Sequence, residues 1–363
     1  MTNSEYQLPS FTPALDAQFR AFYQAIHGTG AVSPVPFDSE AVPYLLSVQG
    51  DWAKHDMYFN AFTPLWQRCL ANNNYEQAST IWPWALRPVY AAESTAGGLR
   101  FHKGAAYYFW GVSAILSGDM DRGFLLMHSA LEEDVKTHKR LDPSTPSLRL
   151  VAIDGQHPEQ LFRPWVVLLQ SSLDERLKSF RARTGRNLGT DEFRAKFLSD
   201  TSTREAAFLF SYSLARIMRL RGAFPLQVGT FASQMFLNIL FDLCLVVDAA
   251  IKHKAGPVAG WKFIDLATNL ARSSGLGLSK ADLRAVNQCF QADFERALGE
   301  ASGDAMTIAS RRLTGLDASI AVVYGLRNRG AHAPGSVPLV AASIDRLLEH
   351  TFDTLFLCVE TLY

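Results

Sequence analysis

Residues Phe231–Ile251 read FASQMFLNILFDLCLVVDAAI, the most membrane-like run in the 363-residue chain. Its length suits a span, but Gln234, Asn238, Asp242 and Asp248 interrupt it. Two carboxylates at that depth are costly in lipid. The run therefore reads as a buried helix. Spacings of three and four between apolar residues recur on both sides of it, and no period-two run bounded by hairpin turns stands out. The expected fold class is all-α.

Composition agrees with a packed core, since 48% of residues are apolar and 12% aromatic. Lys plus Arg equals Asp plus Glu at 35 each, so overall charge announces neither a nucleic-acid nor a membrane partner. The distribution is less even. Between Arg176 and Arg221 stand eleven basic residues (Arg176, Lys178, Arg181, Arg183, Arg186, Arg194, Lys196, Arg204, Arg216, Arg219, Arg221) against four acidic ones (Asp191, Glu192, Asp200, Glu205). That excess suits a polyanion, and equally a solvated helix face. Cys69, Cys244, Cys289 and Cys358 are far apart within apolar helical pattern. Without CxxC or Cys/His ligand spacing, no zinc site, disulfide framework or other cofactor is expected. The segment MTNSEYQLPS has neither the basic nor the apolar region of a secretory signal, so a soluble, cytoplasmic protein is the expectation.

The first fifty residues hold prolines at 9, 13, 34, 36 and 43, so helices there are short, Asp16–His27 being the best candidate. From about Asp51 the pattern is regular. Ala61–Asn72 and Tyr75–Ala91 read as one helical hairpin, and Phe101–Leu116 and Met120–Lys139 as a second. The two align at an offset of 45 residues, with Asn74 on Asp119 and Ala78 on Gly123. Trp110-Gly111, the Gly-Asp turn and the small residue at the crossing make the second pair resemble a tetratricopeptide-type unit, although the offset exceeds that family's period. A further helix, Pro164–Arg183, is expected to stack on these hairpins. Loops follow at Asp142–Pro158 and Thr184–Gly189, which places the domain boundary near residue 190. Residues 1–190 form the hairpin module and 191–363 a helical bundle. Helices are expected there at about 202–221, 225–253, 258–273, 280–300, 305–328 and 337–362. Ser202 with Glu205 and Ser279 with Asp282 read as capping boxes.

Candidate chemistry lies at Leu326–Ala333, LRNRGAHA, between two of these helices. Arginine followed shortly by histidine also occurs at Arg20–His27 and Arg122–His128, both within regular helical pattern and read as structural. The pair Arg327–His332 differs. Asn328 follows the arginine directly, Gly330 can end the helix, and Pro334 biases Ala333 away from helical geometry. Residues five apart on an unbroken helix lie roughly 140° apart, so a break between them lets the two side chains converge. The same residues also suit a helix C-cap, with the cations facing terminal carbonyls.

Over roughly residues 195–363 this arrangement resembles the R-N-x-x-x-H motif of HEPN ribonucleases. The resemblance implies a helical domain that dimerises to form a composite site and cleaves RNA without metal. Arg327 would stabilise charge on the phosphorus, Asn328 would orient phosphate or the partner histidine, and His332 would act as acid or base. Family members carry an acidic residue on an earlier helix, for which Asp248 is the first candidate and Asp242 the second. Many act as toxins or antiviral-defence effectors, which implies an RNA substrate, a homodimer, and an antitoxin or trigger protein. The alternatives are a non-catalytic HEPN module that binds a nucleotidyltransferase-type partner or antitoxin, and a helical scaffold. Gly28-Thr29-Gly30 and Gly275-Leu276-Gly277 lack a preceding strand and are not dinucleotide loops. Trp82, Trp84, Tyr107, Tyr108, Phe109 and Trp110 sit at helical spacing and read as core rather than as a base-stacking platform.

Overall fold

The structure, a computed structural model, describes residues 11–27, 34–97, 99–223, 230–255, 262–303, 305–330 and 339–363. Among these residues it is helical apart from one two-stranded hairpin, so the class is all-α. Two compact units are present. The first comprises Met1–Leu148 with His157–Trp165, and the second Arg149–Gln156 with Val166–Tyr363.

The first unit is built from α1 (Pro13–His27), α2 (Pro34–Ser47), α3 (Trp52–Asn60), α4 (Thr63–Ala71), α5 (Tyr75–Thr95), α6 (Gly104–Ser117) and α7 (Met120–His138), with α8 (Pro146–Val151) beginning at its edge. The two hairpins read from the sequence are α4–α5 and α6–α7. Their turns work by local chemistry. Asn74 and Asp119 each accept a hydrogen bond from the backbone N–H three residues on, Gln77 and Arg122, and so cap α5 and α7. Gly118 closes α6 at φ 94°, a conformation that glycine takes without cost. Of the aromatics read as core, Trp82 and Tyr108 are buried, as is Trp66, whereas Trp84, Tyr107, Phe109 and Trp110 are half-buried; Phe109 stacks on Trp82 at 5.3 Å between ring centres. Buried Trp66 keeps its indole N–H satisfied by donating to Ser113 Oγ at 2.7 Å.

The α6–α7 crossing depends on Gly111 and Gly123. A Cβ on Gly123 would collide with Ile115 Cγ1 and lie 3.1 Å from the Ile115 backbone nitrogen. Two backbones meet here, which a side chain cannot evade by turning away.

In the second unit the chain runs through α9 (Arg163–Thr184) and α10 (Thr190–Phe193) to α11 (Arg204–Ala223), α12 (Thr230–Ala255), α13 (Phe263–Ser273), α14 (Lys280–Ala292) and α15 (Phe294–Ala301). Strands β1 (Ala305–Ile308) and β2 (Arg311–Thr314) follow, then α16 (Gly315–Gly330) and α17 (Leu339–Leu362). Helix α12 is at the centre, packed against α11, α13, α16 and α17. Its segment Ser233–Ala255 is long and apolar enough to cross a membrane by length and composition, yet 61% of that window is buried among neighbouring helices.

The structure departs from the sequence reading at several places. The prolines of the first fifty residues do not keep helices short, since α1 and α2 run to 15 and 14 residues with Pro43 inside α2, and α8 lies within the Asp142–Pro158 stretch expected to be loop. The helix expected over 305–328 starts only at Gly315, because 305–314 forms an antiparallel hairpin in which Met306 faces Leu313 and Ile308 faces Arg311. Met306, Ile308 and Leu313 point inward, so a period-two pattern exists, but over strands of only four residues. The helix expected over 280–300 breaks at Asp293, whose carboxylate caps α15 by accepting from Arg296 N. Ahead of α11, Asp200 rather than Ser202 accepts the capping hydrogen bond, from Ser202 N. The Ser279–Asp282 box is present, each side chain bonding the other's backbone N–H. Finally, the division between units falls near 165, not 190. Helix α9 belongs to the second unit, tied to α17 by Arg183–Asp353 at 2.7 Å, and the loop after it carries Arg186, which pairs with Glu360 at 2.9 Å.

A buried histidine joins α17 to its surroundings. His350 is 1% exposed; its Nε2 donates to Ala301 O, which can only accept, so Nδ1 is free to accept from the Ser319 hydroxyl at 3.0 Å. The neutral ring is thereby fully satisfied. Burial, reinforced by Arg346, lowers its pKa from 6.5 to about 4.

Two tests follow from this packing. Gly123→Val is expected to cost about 2 kcal/mol in urea denaturation by overpacking the α6–α7 contact. For His350 the unfolded chain takes up a proton that the folded chain refuses. Its contribution to stability is therefore complete above about pH 6.5 and is lost as pH falls toward about 4. Denaturation midpoints measured between those limits should fall with pH in the wild type, and His350→Gln should flatten that dependence.

Candidate functional site

The residues singled out at the end of α16 are placed by a close helix contact. A Cβ on Gly325 would stand 2.6 Å from Phe290 Cε2, so glycine lets α16 lie directly on α14. That contact brings Asn328 to Asn287, whose Oδ1 accepts from Asn328 Nδ2 at 3.3 Å. On the neighbouring α12, Asp248 points toward the same end of α16.

Arg327, Asn328 and Asp248 are brought together. The Arg327 guanidinium donates one N–H to Asp248 Oδ2 and another to Asn328 Oδ1, both at 3.3 Å. Its carbon lies 5.3 Å from the centre of the Phe263 ring, within cation–π range. Asp248 is 6% exposed, and Lys252, one turn later on α12, donates to the same Oδ2 at 2.6 Å. The other oxygen, Oδ1, is buried with no partner. Two cations thus share one carboxylate oxygen, leaving a local positive excess. The contacts of Arg327 are longer than the roughly 2.7–3.2 Å of a firm N–H···O bond, and its side chain is 33% exposed. The guanidinium is lightly held and open to solvent on one side, which suits exchange of a neighbour for an anionic oxygen.

Asp242 is not at this site. Six residues before Asp248, it lies about 120° around α12 and pairs with Arg216 of α11 at 3.0 Å. Burial raises its carboxyl pKa in spite of that arginine. His332 lies outside the described residues, as do Ala331, Ala333 and Pro334. Of the other Arg–His pairs, Arg20 is taken up by Asp16.

Three participants were not singled out from the sequence. Lys252 was findable, because a Lys four residues after an Asp on a helix is a standard ion pair. Asn287 and Phe263 carried no local signal, since only packing of α13 and α14 brings them near. The basic stretch also looks different in three dimensions. Arg183, Arg186, Arg194, Lys196, Arg204, Arg216 and Arg221 all form ion pairs, several with acidic residues far along the chain such as Asp353, Glu360 and Asp345. Most of its excess charge is neutralised internally.

As to metal ligands, the described residues bring His102, Asp134 and His138 of the first unit within reach of one ion. No known protein family, curated protein or solved structure matches the chain.

The geometry makes a definite statement about stability. Lys252 still neutralises Asp248 when the arginine is removed, so Arg327→Met is expected to cost only about 1 kcal/mol in urea denaturation. A loss of about 3 kcal/mol or more would instead mark the Arg327–Asp248 pair as a buried strut.

Proposed function

We propose that the second unit is a metal-independent endoribonuclease of HEPN type acting on single-stranded RNA. The observation that supports it best is the Arg327–Asp248 contact. A buried carboxylate on α12 holds, loosely, the one arginine that stands three residues before the end of α16, beside an asparagine. Tight structural pairs elsewhere in this unit are shorter, as Arg183–Asp353 illustrates.

In this reading Asp248 and Phe263 aim the Arg327 guanidinium, which binds non-bridging phosphate oxygens and stabilises the pentacoordinate phosphorus as charge accumulates. Asn328 orients the phosphate or the second histidine. His332 takes the 2′-hydroxyl proton, the resulting alkoxide attacks phosphorus, and the P–O5′ bond breaks with protonation of the leaving oxygen by the second histidine of a homodimer. The products are a 2′,3′-cyclic phosphate and a 5′-hydroxyl; DNA, lacking the nucleophile, is resistant. A cytoplasmic toxin or defence effector, kept inactive by an antitoxin or released by a trigger through the first unit, is the biological setting that goes with this chemistry.

A second reading has its own supporting observation. Arg327 is two-thirds covered and already has a carboxylate partner and an aromatic neighbour, which suits a module that binds a partner protein without catalysis.

Labelled single-stranded RNA incubated with the full chain in excess EDTA separates them. The nuclease should yield cyclic-phosphate ends, and both His332→Ala and Arg327→Ala should reduce the rate by about a hundredfold or more. Equal cleavage by all three proteins, or none by the wild type, would remove the support for catalysis at this site.

A further inference from the structure

In the first unit, α7 carries Asp134 and His138 four residues apart, hence on one face of the helix. The segment just ahead of α6 brings His102 against that face. His102 Nε2 lies 2.8 Å from Asp134 Oδ1, and the two imidazoles meet edge to face with centres 5.5 Å apart. One donor atom from each of the three residues lies within 4.8 Å of the other two. Four-coordinate zinc, with metal–ligand bonds of about 2.0–2.2 Å, holds its ligand atoms roughly 3.3 Å apart. Side-chain adjustments on the order of an ångström therefore suffice.

Two features distinguish this group from an ordinary His–Asp hydrogen bond. The first is the space kept around it. A Cβ on Gly104 would stand 2.7 Å from His102 Nε2 and 2.8 Å from Asp134 Oδ1, so glycine leaves the donor atoms uncrowded. The second is what lies beside it. His102 and Asp134 line a cleft of about 370 Å³ that also presents Tyr108, Ser147 and Glu159. Tyr108 is only 6% exposed, and its hydroxyl has no hydrogen-bond partner in the protein. A buried, unsatisfied hydroxyl on a residue that lines a cleft is costly unless a small shift lets it find a partner there.

We propose that His102, Asp134 and His138 bind a divalent first-row metal ion, best matched by Zn2+, with its remaining coordination position open to this cleft. Two imidazoles and a carboxylate form a donor set of borderline softness, suited to zinc and its neighbours rather than to magnesium or calcium. Three protein ligands with a fourth position left open is the pattern of an exchangeable site, in which water or a small anion completes the shell. Tyr108 and Glu159 lie along the wall of the cleft that such a ligand would face. The exposed His138 takes no part in the His102–Asp134 hydrogen bond and meets His102 only ring edge to face. The sequence hid the group because two donors are an Asp-x-x-x-His pair, common on helix surfaces, and the third is 32 residues away before another helix.

The test uses the untagged full chain, dialysed against chelator and titrated calorimetrically with Zn2+, and loaded in parallel with Co2+. The expected result is one equivalent of Zn2+ per chain and the visible bands of tetrahedral Co2+. His138→Ala and His102→Gln should each weaken binding by about a hundredfold and abolish those bands. His138 is exposed at the end of α7, and circular dichroism should show its variant folded. Zinc binding equally strong in His138→Ala, or no Zn2+ binding by the wild type, would overturn the proposal.

Discussion

Burial of α12 is the constraint from which the second unit follows. A 26-residue helix surrounded on most sides cannot leave its polar groups to water, and a buried charge without a partner is among the most expensive features a fold can carry. Each carboxylate on it therefore calls a cation from a neighbouring element. Asp242 takes Arg216 of α11, and Asp248 takes Lys252 of its own helix and Arg327 of α16. The packing of α11 and α16 on α12 and the ion pairing are two aspects of one arrangement. At Asp248 two cations fall on one oxygen and the other oxygen is unpaired, and the buried Ser213 hydroxyl is likewise without a partner, so the polar network of this unit is incomplete at more than one place.

The first unit is held differently. Its core is aromatic, with Phe62, Trp66, Trp82 and Phe109 linked by ring contacts; α6 and α7 approach through glycine, and Arg87 of α5 pairs with Asp38 of α2. Such a core specifies shape by interdigitation. Ionisable groups are not excluded from it: buried Lys103 and Glu133 pair with Glu93 and Arg100 alongside the His102–Asp134 pair.

Much of the helical framework was legible in the sequence because helix signals are local. Asn74, Asp119 and Ser279 announce starts, Gly118 announces a stop, and the polar interruptions of Phe231–Ile251 identify a buried helix. What could not be read were features set by tertiary contact. The 305–314 hairpin consists of strands too short for alternation to stand out and is linked by Ala309-Ser310, which lacks the usual glycine turn chemistry. The extent of the second unit depends on Arg183 finding Asp353, and nothing near Arg183 foretells that. At the candidate site, Arg327 and Asn328 were legible as a motif and Asp248 as a choice between two acids. The choice itself is decided by which face of α12 meets α16, and by Phe263 and Asn287, which enter only through packing.

The ion pairs of the basic stretch bear on how the polypeptide is made. Arg183 and Asp353 are 170 residues apart, Arg186 and Glu360 174, and Arg221 and Asp345 124. During synthesis the cations emerge long before α17 can neutralise them. A nascent chain halted before that helix leaves Arg183, Arg186 and Arg221 without these partners and the side of α12 that α17 covers exposed, a form suited to capture by chaperones. The second unit is thus topologically late: the last of these charges are paired, and its core is sealed, only when α17 comes into place.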